Sequence, residues 1–331
     1  MDMMLPDSIQ IGEVVLRDGF QHEEKFIPTE TKIYLANQFF EAGFKFIEVS
    51  SFSHPKVIPQ FRDCEDVLKG IQRNPDVEHT CLTANMKAVE RAIVAKRDGF
   101  GPDRILVMIS TSEAHNKANT GRSTREQFHF IGEAVRLAHE HGIKVNGTVS
   151  TIWGCPFSGR MPISKALDFG NRLLDLGVDD VEHADHDGQA TPSEVYEYFG
   201  AVLERNSDPQ AHIFHVHDVR GFGLANYVTA IQAGIRRFET SLGGIGGQPA
   251  NIVDGVPVRG TGEYYVSAGR TGLVCTEDFL VMLEAMGIET GLDVDKVLKL
   301  GRLLERILER KLNSLCLEAG RLHNGKLNGP Q

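Results

Sequence analysis

Short apolar runs alternate along the chain with segments whose apolar positions recur every three or four residues. The first kind fits a strand, in which successive side chains point to opposite faces, and the second an amphipathic helix. Eight runs read as strands: IQIGEVVL (9–16), FKFIEVS (44–50), HTCLTA (79–84), RILVMIS (104–110), KVNGTVSTI (144–152), DDVEHAD (179–185), AHIFHVHD (211–218) and RRFETSL (236–242). Between them lie helix-period stretches such as TETKIYLANQFFEAG, STREQFHFIGEAVRLAHEHG, PISKALDFGNRLLDLG and PSEVYEYFGAVLERN. Three of these end at Gly43, Gly142 and Gly177, the residue type that most readily takes positive φ after a last helical turn.

Strand and helix in steady alternation is the pattern of parallel βα units. Eight such units in roughly 290 residues predict an α/β fold of the (β/α)8 TIM-barrel type, while a doubly wound open sheet shares the alternation and stays as the alternative. After the eighth strand comes a glycine-rich stretch, residues 243–273, too long for an ordinary connection and expected to be a lid. Helices follow within 275–312, in TEDFLVMLEAMG and VDKVLKLGRLLERILERKL. The whole chain, 1–331, therefore reads as a single catalytic barrel with extra C-terminal helices.

Composition narrows the function classes. A formal charge of −10 without any Lys/Arg block speaks against nucleic acid, whose phosphates demand a basic face. Five scattered cysteines with no CxxC spacing indicate neither a disulfide framework nor a structural zinc site, and fit a reducing, cytoplasmic setting. The N-terminus has no apolar signal core and no run of about 18 apolar residues follows, so neither export nor a membrane span is expected.

In a barrel, chemistry gathers where strands end and βα loops begin. Arg17 and Asp18 follow the first strand, Glu48 closes the second, and Ser110, Ser112, His115 and Asn119 follow the fourth. The seventh carries His215 and His217, two apart and so on one face of a strand. Taken alone, the pair could be one hydrogen-bonded core histidine and one loop residue. Joined by Asp18, which a closed barrel brings near strand seven, it forms one carboxylate and two imidazoles with coordination positions to spare, a set that suits a divalent metal. In the sixth strand, if it continues that far, His183, Asp185 and Asp187 are expected on one face, with His186 turned the other way. Asp187 or His183 could then complete a metal shell or relay a proton. Cys155 and the lone Trp153 read as packing residues near the mouth.

The stretches LRDGFQHE, IEVSSFSHPKVIPQ, STSEAHNKAN, VSTIWGCPFSG, DGQATP, HVHD followed by GLAN, and LGGIGG resemble, in order and spacing, the 3-hydroxy-3-methylglutaryl-CoA lyase family of TIM-barrel metallolyases. The likeness runs over roughly residues 9 to 312. It implies a divalent cation, Mg²⁺ or Mn²⁺, with Asp18, His215 and His217 as ligands. It further implies Arg17 facing a developing enolate oxygen, Glu48 and Asp185 as acidic catalytic residues, and Gln21 on the substrate side. Ser110, His115 and Asn119, from their place after the fourth strand, and Gln248, on the loop after the eighth, are expected to line the substrate as well. The expected reaction is carbon–carbon cleavage of a 3-hydroxyacyl-CoA to acetyl-CoA and a keto acid. The expected partners are a small acyl-CoA and further copies of the same chain.

Two departures from the family pattern stand out. Gln248 occupies the place of a proton-transferring cysteine, and an amide has no acid/base capacity near neutral pH. Leu273 occupies the place of an asparagine metal ligand, and an apolar group cannot hold a hard cation. With Arg259, Tyr264, Tyr265 and Arg270 on the long loop, they predict poor cleavage of the methylglutaryl thioester and better turnover of a homologue with a larger or differently charged C3 group. Two other functions share these residues: an acetyl-CoA-dependent condensing synthase, and an inactive barrel kept as a binding subunit.

Overall fold

The structure is a computed structural model that describes residues 5–247, 251–253, 256–258, 272–323 and 326–327. Eight parallel strands close into a barrel: β1 (Gln10–Glu13), β2 (Phe46–Ser51), β3 (Glu78–Leu82), β4 (Arg104–Ser110), β5 (Lys144–Ser150), β6 (Asp180–Asp185), β7 (His212–Val216) and β8 (Arg237–Thr240). Each pairs with its neighbours in sequence, and β8 closes the ring on β1 with Gln10 opposite Arg237 and Glu13 opposite Thr240. A closed ring has no free edge, which rules out the doubly wound alternative.

Around the ring lie α1 (Thr29–Glu41), α2 (Cys64–Gly70), α3 (Met86–Arg97), α4 (Glu113–Thr120), α5 (Thr124–His139), α6 (Ile163–Asp175), α7 (Pro192–Arg205) and α8 (Gly223–Ala233). After the barrel come α9 (Thr276–Ala285), α10 (Val294–Leu308) and the short α11 (Leu315–Ala319). Local chemistry sets their starts. Ser123 and Glu126 form a reciprocal capping box at α5, and Thr191 and Glu194 another at α7, each satisfying donors that a helix start leaves open. The outward side chains of the strands pack beneath these helices. Phe214 of β7 lies 4.8 Å from the Phe199 ring and 5.3 Å from Tyr227, and Trp153 meets Tyr198 edge to face at 5.1 Å, so the lone tryptophan belongs to the core.

The N-terminal end of the barrel is closed by charge. Asp180 accepts hydrogen bonds from Arg104 (2.5 Å), Arg237 (2.7 Å) and Asn146 (2.9 Å), and all four side chains are buried. A buried carboxylate shared between two guanidinium groups is held by geometry, since removing it would leave both cations uncompensated.

One element differs from expectation and matters for the site. The apolar run after Ile9 predicts a strand through Leu16, yet β1 stops at Glu13 and Val15–Gly19 winds into a π-helical turn. The cause is Glu13, whose buried carboxylate accepts from the Val15 and Leu242 amides, both at 2.9 Å, and from the Thr276 hydroxyl at 2.8 Å. It draws the chain out of the ladder and ties β1 to the segment after β8 and to α9. Burial holds this carboxyl at about 8. Arg17 and Asp18 therefore reach the mouth on a tight turn.

Candidate functional site

At the C-terminal mouth the donor atoms of Asp18, His215 and His217 lie within 4.8 Å of one another, all three residues buried. The two Nε2 atoms of His215 and His217 face each other at 3.2 Å. On its other side His215 donates from Nδ1 to Glu239 at 2.8 Å, with Glu182 at 3.6 Å. A carboxylate on Nδ1 fixes the tautomer that leaves the Nε2 lone pair free, which is how metal-binding imidazoles are oriented. Burial opposes a proton on this ring, but Glu182, Glu239 and Asp18 outweigh it and raise the imidazole to about 9. The same negative field would favour a cation. Space is kept open by Gly246, at φ 135°, where any Cβ would come within 2.6 Å of the Asp18 carboxylate.

Arg17 links this cluster to a second carboxylate. Its Nη1 donates to Asp18 at 2.7 Å and its Nε lies 2.6 Å from Glu48. Burial pushes the Glu48 carboxyl up, Arg17 pulls it back, and it settles at about 7. Asp185 is placed differently: its two oxygens accept from the Gln189 and Ala190 amides at 3.2 and 3.0 Å, so it shapes the loop after β6. Burial leads there too and holds it at about 6 despite those amides. Ser110 bonds His115 at 2.7 Å and Ser150 at 2.9 Å, and the Ser112 side chain caps α4 through the His115 amide, which turns that ring back over the mouth. Gln21 donates to the Gly247 carbonyl at 3.0 Å. Asn119, on the last turn of α4, reaches the Met108 sulfur at 3.0 Å. Gln248, Arg259, Tyr264, Tyr265, Arg270 and most of the lid read over 243–273 lie outside the described residues.

The expectation for strand six needs correction. β6 ends at Asp185 and a turn follows, so face-sharing does not extend to Asp187. His183 points out of the barrel, where its Nδ1 meets the Tyr198 hydroxyl at 2.9 Å and its Nε2 meets His212 Nδ1 at 3.0 Å. His186 instead enters the mouth, its ring 4.9 Å from that of His217 and 5.8 Å from that of His115. Sequence reading also passed over Glu182 and Glu239. Both are acids inside apolar strand runs, and alternation from His215 would have put them on the inner face.

The outer histidine pair has a pH consequence. The Asn206 carbonyl can only accept, so His212 donates to it at 3.1 Å, His183 donates to His212, and Tyr198 donates to His183. That arrangement requires both imidazoles to be neutral, the form that burial favours. Burial and then His212 hold His183 well below the usual range; burial also lowers His212, against its Asn206 bond and Asp208 and Asp180. Folded values below the unfolded one mean that the unfolded chain takes protons first, so stability falls with pH below about 6.5, by about 1.4 kcal/mol per unit for each proton. The raised carboxyls Glu13, Glu48, Asp185 and Glu277 act in the opposite sense, so the pair's share must be isolated. His183→Gln can keep both hydrogen bonds without titrating. Urea unfolding from pH 7 to 5 is expected to show the wild type losing stability relative to this variant, and parallel profiles would refute the neutral pair.

Comparison with known proteins adds a separate line of observation. Residues 8–304 match the family model described as HMGL-like. A hydroxymethylglutaryl-CoA lyase of Bacillus subtilis is 34% identical over 96% of this chain and 98% of its own length. A cytoplasmic 3-hydroxy-3-methylglutaryl-CoA lyase of Danio rerio is 35% identical over 96% and 88%. Among solved structures, an HMG-CoA lyase of Acinetobacter baumannii in complex with coenzyme A and 3-methylmalate superposes with a TM-score of 0.86, at 34% identity and covering 98% of each chain. No helix among the described residues is long and apolar enough to cross a membrane.

Proposed function

This chain belongs to the HMGL-like family, and from that premise we propose that it is a divalent-cation-dependent carbon–carbon lyase. Its substrate is a 3-hydroxyacyl-CoA, either 3-hydroxy-3-methylglutaryl-CoA or a homologue with another C3 substituent, cleaved to acetyl-CoA and a keto acid. The observation that carries the reading is the convergence of Asp18, His215 and His217 beside the Arg17–Glu48 pair. The donor set fits a hard or borderline cation: one carboxylate, and two imidazoles of which one has its tautomer set by Glu239.

Bound by Asp18, His215 and His217, Mg²⁺ or Mn²⁺ would lower the pKa of the substrate's 3-hydroxyl. Glu48, buried and near neutrality, takes the hydroxyl proton. The C2–C3 bond then breaks, C3 becomes the ketone of the keto acid, and the electron pair passes to the thioester as an enolate. Arg17 supplies the fixed donor for that oxygen, and the burial of its guanidinium strengthens the interaction. One proton, returned from Glu48 directly or by exchange with solvent, is added at C2, which completes acetyl-CoA and leaves Glu48 ionised for the next cycle. Asp185 keeps the loop after β6 in register, and Ser110 with His115 lines the opposite wall. The proposed working form is an assembly of like chains.

The test is kcat/KM across a short series of 3-hydroxyacyl-CoAs with Mg²⁺ or Mn²⁺, reading acetyl-CoA and keto acid together. Cleavage of at least one member is expected. No cleavage of any, with free thiol released instead from acetyl-CoA and a 2-keto acid, would overturn the lyase reading in favour of synthesis.

A further inference from the structure

The cation cluster is lopsided. Asp18, His215 and His217 supply three donors, but the flank beyond Asp18 is closed by Leu273, which pairs with His217 in a two-residue bridge and is buried. The Leu273 methyl lies 3.1 Å from where a Cβ on Gly246 would stand, and that same point is 2.6 Å from the Asp18 carboxylate. The apolar group thus abuts the cluster and offers a cation nothing. On another side stands His186, 6% exposed, swung into the mouth by the turn that Asp185 holds.

The ring positions suggest why. Imidazoles on one cation, with metal–nitrogen bonds of about 2.1 Å, have ring centres about 4.6 to 5.3 Å apart when adjacent and about 6.5 Å apart when opposite. Here His217 lies 5.1 Å from His215 and 4.9 Å from His186, while His186 and His215 lie 6.5 Å apart with planes only 18° from parallel. These separations are ones that three imidazoles sharing a cation could adopt, with His217 next to both of the others. The nitrogens of His186 are not within the tight donor group. A turn about the Cβ–Cγ bond brings one of them in while leaving the ring centre nearly in place.

We propose that His186 is a fourth protein ligand of the cation, giving an Asp–His₃ set that binds Mn²⁺ in preference to Mg²⁺. The inference rests on the metal reading above and goes beyond it in naming the ligand and the selectivity. Three imidazoles suit the later divalent ions, whereas Mg²⁺ favours oxygen donors.

The experiment is Mn²⁺ and Mg²⁺ binding to the purified chain by calorimetry, with pulsed electron paramagnetic resonance of bound Mn²⁺ to count coupled ring nitrogens. Wild type is expected to show three nitrogens and His186→Ala two, with at least about tenfold weaker Mn²⁺ binding and a reduced Mn²⁺ preference. Leu273→Asn in the His186→Ala background adds an amide oxygen on the other flank and is expected to recover affinity with the nitrogen count still at two. A chain that merely misfolds without His186 would not recover. Two nitrogens in wild type, or unchanged affinity in His186→Ala, overturns this inference and leaves the lyase reading standing. A wild type that binds neither ion overturns both.

Discussion

Arg17→Lys is expected to lower kcat by about two decades or more while leaving KM nearly unchanged. The guanidinium is buried and spans two acids at once, with Nη1 on Asp18 at 2.7 Å and Nε beside Glu48 at 2.6 Å. A lysine keeps the charge but presents a single nitrogen without the planar fork, so it cannot hold both contacts and still face a substrate oxygen. Negative charge on the thioester oxygen exists only as the carbon–carbon bond breaks. An interaction made in that state alone appears in kcat, whereas one made equally with bound substrate appears in KM. Steady-state kinetics on a cleaved acyl-CoA decides between them: a change confined to KM would show that Arg17 anchors the substrate and does no more.

Chelation is expected to abolish turnover of wild type, with Mg²⁺ or Mn²⁺ restoring it, and His217→Ala is expected to be inactive with either ion while keeping its far-ultraviolet circular dichroism. The reasoning separates site from scaffold. His217 lies just beyond the end of β7, whereas the packing that holds β7 comes from Phe214 against Phe199 and Tyr227, facing the other way. Losing an imidazole at the rim leaves that layer untouched. Removing one of three donors takes away a large part of the cation's hold. Full activity after exhaustive metal removal would refute the cation-dependent mechanism, and a collapsed circular dichroism spectrum for His217→Ala would show that the residue is structural.

Most of the barrel was legible because its signal is periodic. All eight apolar runs became barrel strands, and the HxH spacing on β7 put both imidazoles on one face as alternation requires. What could not be read was where alternation stops. Val14, Val15 and Leu16 look like strand, and only the distant partners of Glu13, the Leu242 amide and the Thr276 hydroxyl, explain the turn that replaces it. The same limit misplaced Asp187, which lies past the end of β6 at Asp185, whereas His183 and His186 do fall on opposite faces as alternation requires; what alternation alone could not tell was which of those faces is the inner one. Glu182 and Glu239 were readable in principle. Acids inside apolar strand runs, on the inner face shared with His215, mark a site as surely as the histidines do, and here one is buried and the other half-buried.

The Asp180 ion cluster at the foot of the barrel makes the lumen a blind alley. Traffic must enter and leave by one door. Under the proposed cleavage a pantetheine arm would lie on the solvent side with the acyl end deepest, and the keto acid would then leave after acetyl-CoA. Release would then be ordered, the larger product first and the smaller last. Free keto acid is then expected to compete with incoming substrate for the empty enzyme, which product-inhibition kinetics would read as a rise in KM with kcat unchanged.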